Sequence, residues 1–518
     1  MRENWLEEKA TRVFAAVDIG ANSVRLKVAR VVRHSLETIH EDRAVTRLGE
    51  SVFRAGMISP QAMDATVKAL RQFHRFVQGC GADRVWVVAT SAVREARNSI
   101  NFVAWVHTAT GWKVETISGL EEGRLIHLGL VTNSKIGRGK TLLADLGGGS
   151  CELTISDNGH IREMVSLPLG AVRLAGEFLL HDPPRPVEIN RLREDIREEI
   201  DRVSKPIVAA NIKSVLATSG TAAAVAQAAR AFRTGNKREG IRPVSGAGVF
   251  LLAEELSKLT VKDRAKLPGI GPRRAEIIVA GAYVYAELMK RCRLGNFRYS
   301  PLGLRDGMLA QMLAEHDKAT ESRKQIEAER KDALLATCRR YHVDIEAAEN
   351  VRQLSVQLFR DLRRVHSLPE EYESWLSAAA LLHDIGSFVN RSGRHRHTYY
   401  LISHGEIFGF TPEQRQIIAA IARYIGKSKP NIYDSAMKSL SRSHQELVPR
   451  AVVLLRLAKA MNHGLSKNIS RVTAEVGGGK ALLKLKATKS ADLEFWVLRK
   501  ERANFREVFG WELVLEIL

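Results

Sequence analysis

DIGANSVRL, residues 18–26, and DLGGGSCEL, residues 145–153, are the stretches on which the fold turns. An apolar run precedes each of them, VFAAV at 13–17 and TLLA at 141–144, and a β pattern resumes after each, through residue 32 and through residue 156. Both read as strand, Asp-x-Gly turn, strand. The two aspartates lie 145 − 18 = 127 residues apart, which points to two related α/β halves rather than a short-period array.

Outward from the first loop, residues 59–79 carry helical spacing. Ser59 stands at the N-cap, Pro60 at the first helical position, and Ala62, Val67, Leu70, Phe73 and Val77 form the apolar stripe. Residues 85–89 and 113–117 read as strands, VLATSGT at 215–221 as a strand entering an alanine-rich helix, and RYSPLGLRDGMLA at 298–310 as a strand running into a helix. Strands alternating with helices predict an α/β architecture. From about residue 318 the text becomes charged and helical, so a boundary is expected within 311–325, and helical periodicity continues to about 465. After the glycines at 477–479, LLKLKA and DLEFWVLR both read as strands of a small terminal β or α+β piece.

A chain of 518 residues implies several domains, at roughly 100–200 residues each. A hydrophobic share of 45% and a charged share of 26% exclude low-complexity and wholly disordered classes. The longest apolar run, 277–289, is broken by Gly281 and Glu287, well short of the ~18–20 residues a membrane span needs, so no membrane partner is expected. MRENWLEEKATR has no apolar signal region, and Cys80, Cys151, Cys292 and Cys338 form no CxxC pair. A cytoplasmic location is therefore expected. Net charge is +21, and residues 391–490 alone hold 18 Lys and Arg against 5 Asp and Glu. Such a field concentrates polyanions: nucleic acid, anionic membrane or inorganic polyphosphate.

The glycine loops narrow that choice. A phosphate chain needs backbone N–H groups unobstructed by side chains. It also needs short polar donors, here Asn22, Ser23 and Ser150, and carboxylates for a divalent metal, here Asp145 and Glu152 across one hairpin. The two loops resemble the phosphate loops of the actin-like ATPase superfamily. With ATSAVREARN (89–98), SGLEEGRLIHLG (118–129), SLPLGAVRL (166–174), ATSGT (217–221) and LGLRDG (302–307), the chain resembles the exopolyphosphatase/guanosine pentaphosphate phosphatase family over residues 12–310. The following helical stretch resembles the HD-like domain of its longer members.

The resemblance implies two actin-like (ribonuclease H-like) lobes, at 1–135 and 136–312. An all-α HD-like domain at 313–466 and a small C-terminal α+β domain at 467–518 would follow. It implies a homodimer and Mg²⁺ or another divalent cation at Asp145 and Glu152. It makes Glu122, of Gly119-Leu-Glu-Glu, the group that activates the attacking water, with Gly147, Gly148, Gly149 and Ser150 holding phosphate. Arg94 suits a two-pronged phosphate contact. Asp18 either orients metal-bound water or caps its own turn. Gly123 departs from the alanine common at that position, a cost of up to about 1 kcal/mol to the helix. The expected function is processive, Mg²⁺-dependent release of terminal phosphate from inorganic polyphosphate. Guanosine pentaphosphate hydrolysis is the alternative, and an actin-fold kinase or nucleic-acid-binding regulator lies further off.

Two motifs remain. The His383-Asp384 pair matches part of a phosphohydrolase metal set, but Asn350 and Asn462 stand where a His and an Asp belong, so a second metal centre is not expected. His395, His397 and His404, beside Arg391, Arg394 and Arg396, are expected to form a basic surface that helps hold a long anion. LPGIGPRRAEII at 267–278 is similar to a DNA-binding hairpin but occurs once, and is read as a tight helix–helix turn. Nucleic acid is not the expected partner.

Overall fold

In the computed structural model, which describes residues 12–133, 139–234, 243–317, 319–464, 468–488 and 490–517, the first quoted stretch folds as a hairpin. β1 (Val13–Ile19) is buried except at Asp18, which is half-buried, as an unbroken apolar run covered on both faces should be. It pairs antiparallel with β2 (Ser23–Val32), and β2 with β3 (Ser35–Val45). β4 (Arg84–Ala89) runs parallel to β1, and β5 (Val114–Thr116) parallel to β4, giving the order β3-β2-β1-β4-β5.

Parallel neighbours need a crossover. The Pro60–Gly79 helix provides the first, capped by Ser59, whose hydroxyl accepts from the Ala62 N–H at 3.3 Å.

The second quoted stretch repeats the plan. β6 (Lys140–Leu146), β7 (Cys151–Asp157) and β8 (His160–Leu167) form an antiparallel meander. β9 (Ser214–Thr218) lies parallel to β6, β10 (Val244–Ser245) lies at the edge, and β11 (Asn296–Tyr299) runs parallel to β9. The order is β10-β11-β9-β6-β7-β8, so both sheets follow the actin-like pattern of a meander continued by parallel strands.

Two helices cross between the lobes. Gly119–Asn133 leaves β5 but packs against β7 and β8, while Leu304–His316 leaves β11 and packs against β1. They touch each other at glycines: a Cβ on Gly307 would stand 1.7 Å from the Leu125 carbonyl oxygen.

These lobes belong to a unit that ends at Ile326, and a second unit begins at Glu327. The second unit is built on helices and closed by β12 (Ile469–Gly477), β13 (Lys480–Ala487) and β14 (Glu512–Ile517), whose inner residues join the helices in one continuous core. LLKLKA lies in β13, but DLEFWVLR is not a strand. It opens the Asp492–Phe509 helix, with Ala491, Glu494, Leu498 and Phe505 buried at spacings of three, four and seven, a helical stripe. Its short apolar run fits either period when read alone.

Candidate active site

The two Asp-x-Gly turns face each other across one cleft of about 780 Å³. They are built alike. The Gly20 N–H donates to the Ser23 carbonyl at 3.1 Å, and the Gly147 N–H donates to the Ser150 carbonyl at 2.9 Å. A Cβ on Gly148 would lie 2.9 Å from the Ala21 Cβ and 3.3 Å from the Asn22 nitrogen, so the approach of one loop to the other requires glycine there. Asn22, Ser23, Gly147, Gly148 and Ser150 all line the cleft. Gly149 does not: it lies behind the wall, where a Cβ would stand 2.3 Å from both the Phe53 ring and the Ser91 hydroxyl. Ser23 is already engaged, accepting from Arg43 Nε at 3.1 Å and Nη2 at 2.9 Å.

The paired glutamates divide by helix geometry. The Ser118 hydroxyl accepts from the Glu121 N–H at 3.1 Å and starts the Gly119–Asn133 helix. Glu121 then binds the fully buried Arg124, three residues on, at 2.8 and 2.9 Å. Glu122, one residue around the helix, lines the cleft at 8% exposure and leaves Oε2 without a partner. Gly123 sits against Met164, whose sulfur is 2.7 Å from where a Cβ would be.

Register makes Asp145 and Glu152 direct cross-strand neighbours. Thr218 donates to Asp145, and Ser166 donates to Glu152 Oε1 at 2.8 Å, while Glu152 Oε2 is buried and unpartnered. Oxygens of Glu122, Asp145 and Glu152 lie within 4.8 Å of one another, the one such triple of ligands among the described residues. Burial, followed by the charges of Glu152, Asp145 and Asp18, holds the Glu122 carboxyl well above its ordinary range. Burial, and then Asp145, raises Glu152, and burial raises Asp145 and Asp18. Like-charged carboxyls this close stay ionised together only when a cation compensates them; otherwise at least one takes up a proton. Two orphaned carboxylate oxygens in an all-oxygen set fit a hard divalent cation. Glu122, expected as the base, shares this cluster with the expected metal pair.

Basic side chains also line the cleft: Arg25, Lys27, Arg43, Arg273, Arg274 and Arg305, with Glu41, Asp42 and Asp306 among them. Arg25 is the cross-strand neighbour of Asp18, and Lys27 pairs with Glu41 and with Asp306, each at 2.8 Å. Burial, and then its guanidinium neighbours, pulls Arg43 down to about 9, still charged at neutral pH. None of the six was singled out from the sequence, although Arg25 and Arg305 lie inside DIGANSVRL and LGLRDG. The segment similar to a DNA-binding hairpin is a run of turns after the four-residue Val261–Arg264 helix, with Gly269 and Gly271 at positive φ, and it delivers Arg273 and Arg274 to the cleft. Arg94 does not line the cleft. Its Nη1 donates to the Ile117 carbonyl at 2.7 Å, and its charge favours ionised Glu122 and Glu152 from behind.

In the second unit, His383 is buried at 4% exposure. Its Nδ1 lies 2.7 Å from the Ala380 carbonyl and its Nε2 has no partner. Asn350 donates to Asn462 at 3.0 Å, and Asn462 to the Ala347 carbonyl at 3.1 Å. Asp384 pairs with Arg394 at 3.3 Å. His395 and His397 are half-buried and His404 is exposed.

The profile of the Ppx/GppA phosphatase family matches residues 27–316, and that of Ppx/GppA phosphatase domain III matches residues 330–501. Exopolyphosphatase 1 of Mycobacterium leprae is 31% identical over 299 residues, 57% of this chain and 88% of that protein. The crystal structure of the Aquifex aeolicus Ppx/GppA family member is 27% identical, covers 59% of this chain and 99% of its own, and has a TM-score of 0.50. An exopolyphosphatase from Cytophaga hutchinsonii shares the fold at 23% identity, covering 60% of this chain and 99% of its own, with a TM-score of 0.55.

Proposed function

The chain belongs to the Ppx/GppA phosphatase family, hydrolases of phosphoanhydride bonds, and on that footing we propose that its substrate is inorganic polyphosphate, shortened processively one terminal phosphate at a time. The observation that carries this reading is the cleft itself, lined both by six basic side chains and by Glu122 and Asp145, which form a carboxylate triple with Glu152. A long polyanion satisfies the first, and its terminal phosphoryl group reaches the second.

The Gly148 N–H, with the Ser150, Ser23 and Asn22 side chains, holds the terminal phosphate, while the Gly147 N–H stays bonded to the Ser150 carbonyl and shapes the turn. The Glu122 carboxylate takes a proton from the water that attacks the terminal phosphorus, and the shortened chain leaves with the bridging oxygen. Asp145 and Glu152 would hold Mg²⁺ or another divalent cation, whose chemistry there is to neutralise charge on the phosphoryl group and the leaving phosphate. The arginines balance the remaining chain without contacting the reacting phosphorus.

Hydrolysis of guanosine pentaphosphate is the second reading, and Tyr299, an aromatic ring in the cleft wall on which a base can stack, favours it. A reducing cytoplasm suits the four free cysteines. A homodimer is the assembly that the family resemblance implies. No helix among the described residues is long and apolar enough to cross a membrane.

Phosphate release from long polyphosphate and from guanosine pentaphosphate, by wild type and by Glu122→Gln, tests the assignment. The expected result is faster turnover on polyphosphate, with full-length chains and free phosphate dominating early products, and its collapse in the variant. A preference for the nucleotide would reverse the substrate choice, and an active Glu122→Gln would remove the base.

A further inference from the structure

Arg173 lies outside the cleft wall yet touches both lobes. It belongs to the Ala171–Phe178 helix of the second lobe, and its Nε donates to the Gly149 carbonyl at 2.9 Å, the backbone of the second phosphate loop. Its Nη2 reaches both carboxylate oxygens of Glu95 in the first lobe, at 2.6 and 2.7 Å. Its guanidinium carbon lies 4.2 Å from the centre of the Phe53 ring, also in the first lobe. An isolated, partly exposed ion pair contributes little. Here one planar cation is fixed by a loop carbonyl, a carboxylate gripped at two oxygens and an aromatic face together, which orders it in a way a lone pair does not.

The connection continues. Glu95 ends the short Ser91–Glu95 helix, and the preceding residue, Arg94, donates to the Ile117 carbonyl at 2.7 Å. Ile117 precedes Ser118, whose hydroxyl and carbonyl accept from the N–H groups of Glu121 and Glu122. A continuous line therefore runs from the Gly149 carbonyl through Arg173, Glu95, Arg94 and Ile117 to the first turn of the helix that presents Glu122.

We propose that Arg173 and Glu95 form an inter-lobe positioning clamp that, acting through Arg94, sets the distance between the phosphate-holding loop and Glu122. The proposal deepens the reading of the cleft as a phosphoanhydride hydrolase site and rests on it for its kinetic consequence. Arg173 and Glu95 touch no substrate. They are positioning residues, and a displacement of the order of 1 Å between a nucleophile's base and its target is enough to slow chemistry by about a hundredfold.

The test uses the full chain with Arg173→Gln, Glu95→Gln and the double variant, assayed where each is fully folded. Each single variant is expected to lower kcat on long polyphosphate by about tenfold or more while KM stays within about twofold, because the basic side chains of the cleft are untouched. The double variant is expected to be no slower than the slower single one, since both break the same link. Amide exchange at residues 118–123 should quicken in both single variants, although neither substitution lies there. Unchanged kcat, additive losses, or exchange that quickens only beside the substituted positions would overturn the clamp. Wild type that releases phosphate from neither polyphosphate nor guanosine pentaphosphate would overturn the proposed function, and the exchange measurement then decides the clamp alone.

Discussion

Two places in this chain carry residues of metal-binding type, and they are opposites. In the cleft, Glu122, Asp145 and Glu152 crowd together with two unpartnered oxygens, and the half-buried Asp18 adds a further acid. In the second unit, His383 stands beside a single carboxylate, Asp384, which Arg394 already engages, and the charge of Lys459 presses on the imidazole. The asparagines that could have completed a set bond each other instead. Buried groups of one sign call in a counter-ion, whereas a balanced or cationic cluster repels one. The two places thus differ in the net charge of their potential ligands, although each carries residue types that bind cations.

The largest effect that can break this comparison is on turnover. Glu152→Gln removes one charge from the triple with little change of shape and is expected to cut kcat on polyphosphate by about a hundredfold or more. His383→Asn, which keeps a donor near the Nδ1 position, is expected to change kcat less than about twofold, because His383 is not part of the cleft. Phosphate release by both variants checks the pair, and equal losses would refute the contrast.

The next effect is on stability, and the two places have opposite pH signs. The cleft carboxyls are raised above their ordinary values, so folding favours their protonated forms. Their contribution is complete below the ordinary carboxyl range and is lost as pH rises through the raised values. In chelator, Tm should therefore fall as pH climbs from about 4. Mg²⁺ should restore it, and Glu152→Gln should show a shallower fall with a smaller Mg²⁺ response. His383 behaves inversely: burial lowers it from 6.5 to about 3, and Lys459 adds to the shift. Its contribution is complete above 6.5 and is lost as pH falls towards the lowered value. Amide protection in the Tyr372–Leu382 helix, exchange taken relative to the intrinsic rate at each pH, should fall on acidification, and His383→Asn should flatten that dependence.

What could be read ahead of the structure follows the same divide between local and assembled features. Both hairpins were legible because Asp-x-Gly turns and β-branched runs are short-range signals, and residues 59–79 because Ser59 and Pro60 mark a helix start. The separation of Glu121 from Glu122 was readable in principle, since Arg124 lies three residues after Glu121 and one turn away on the same face. The basic cluster was not legible, because it joins three distant segments: the β2–β3 hairpin, where Arg25 and Arg43 are cross-strand partners, the turns that carry Arg273, and the helix that carries Arg305. Arg94 was matched to phosphate by its motif, yet its partner, the Ile117 carbonyl, is a tertiary contact that no spacing announces. DLEFWVLR was misread because its buried positions become a helical stripe only once Phe505 is counted.

The smallest expected effect bears most directly on the difference in charge. Burial pulls the Lys459 ammonium below its ordinary value, with Asp384 opposing the shift and Arg394 adding to it, and its charge also acts on His383, so this cluster already holds a cationic group. The Nδ1 of His383 faces a carbonyl, which accepts only, so that nitrogen carries the proton and Nε2 keeps its lone pair. Lys459→Asp replaces the resident cation with a second carboxylate, leaving one imidazole nitrogen and two acids, a set that suits Mn²⁺ or Zn²⁺. The variant is expected to gain a stabilisation by Mn²⁺ that wild type lacks in this unit, about 1.4 kcal/mol when the ion is at ten times its Kd. The readout is slowed amide exchange around His383, which separates it from any response of the cleft. If Lys459→Asp stays folded and shows no Mn²⁺ effect there, charge alone does not account for the difference between the two places, and the hydrogen-bonded Asn350–Asn462 pair becomes the feature that closes the second one.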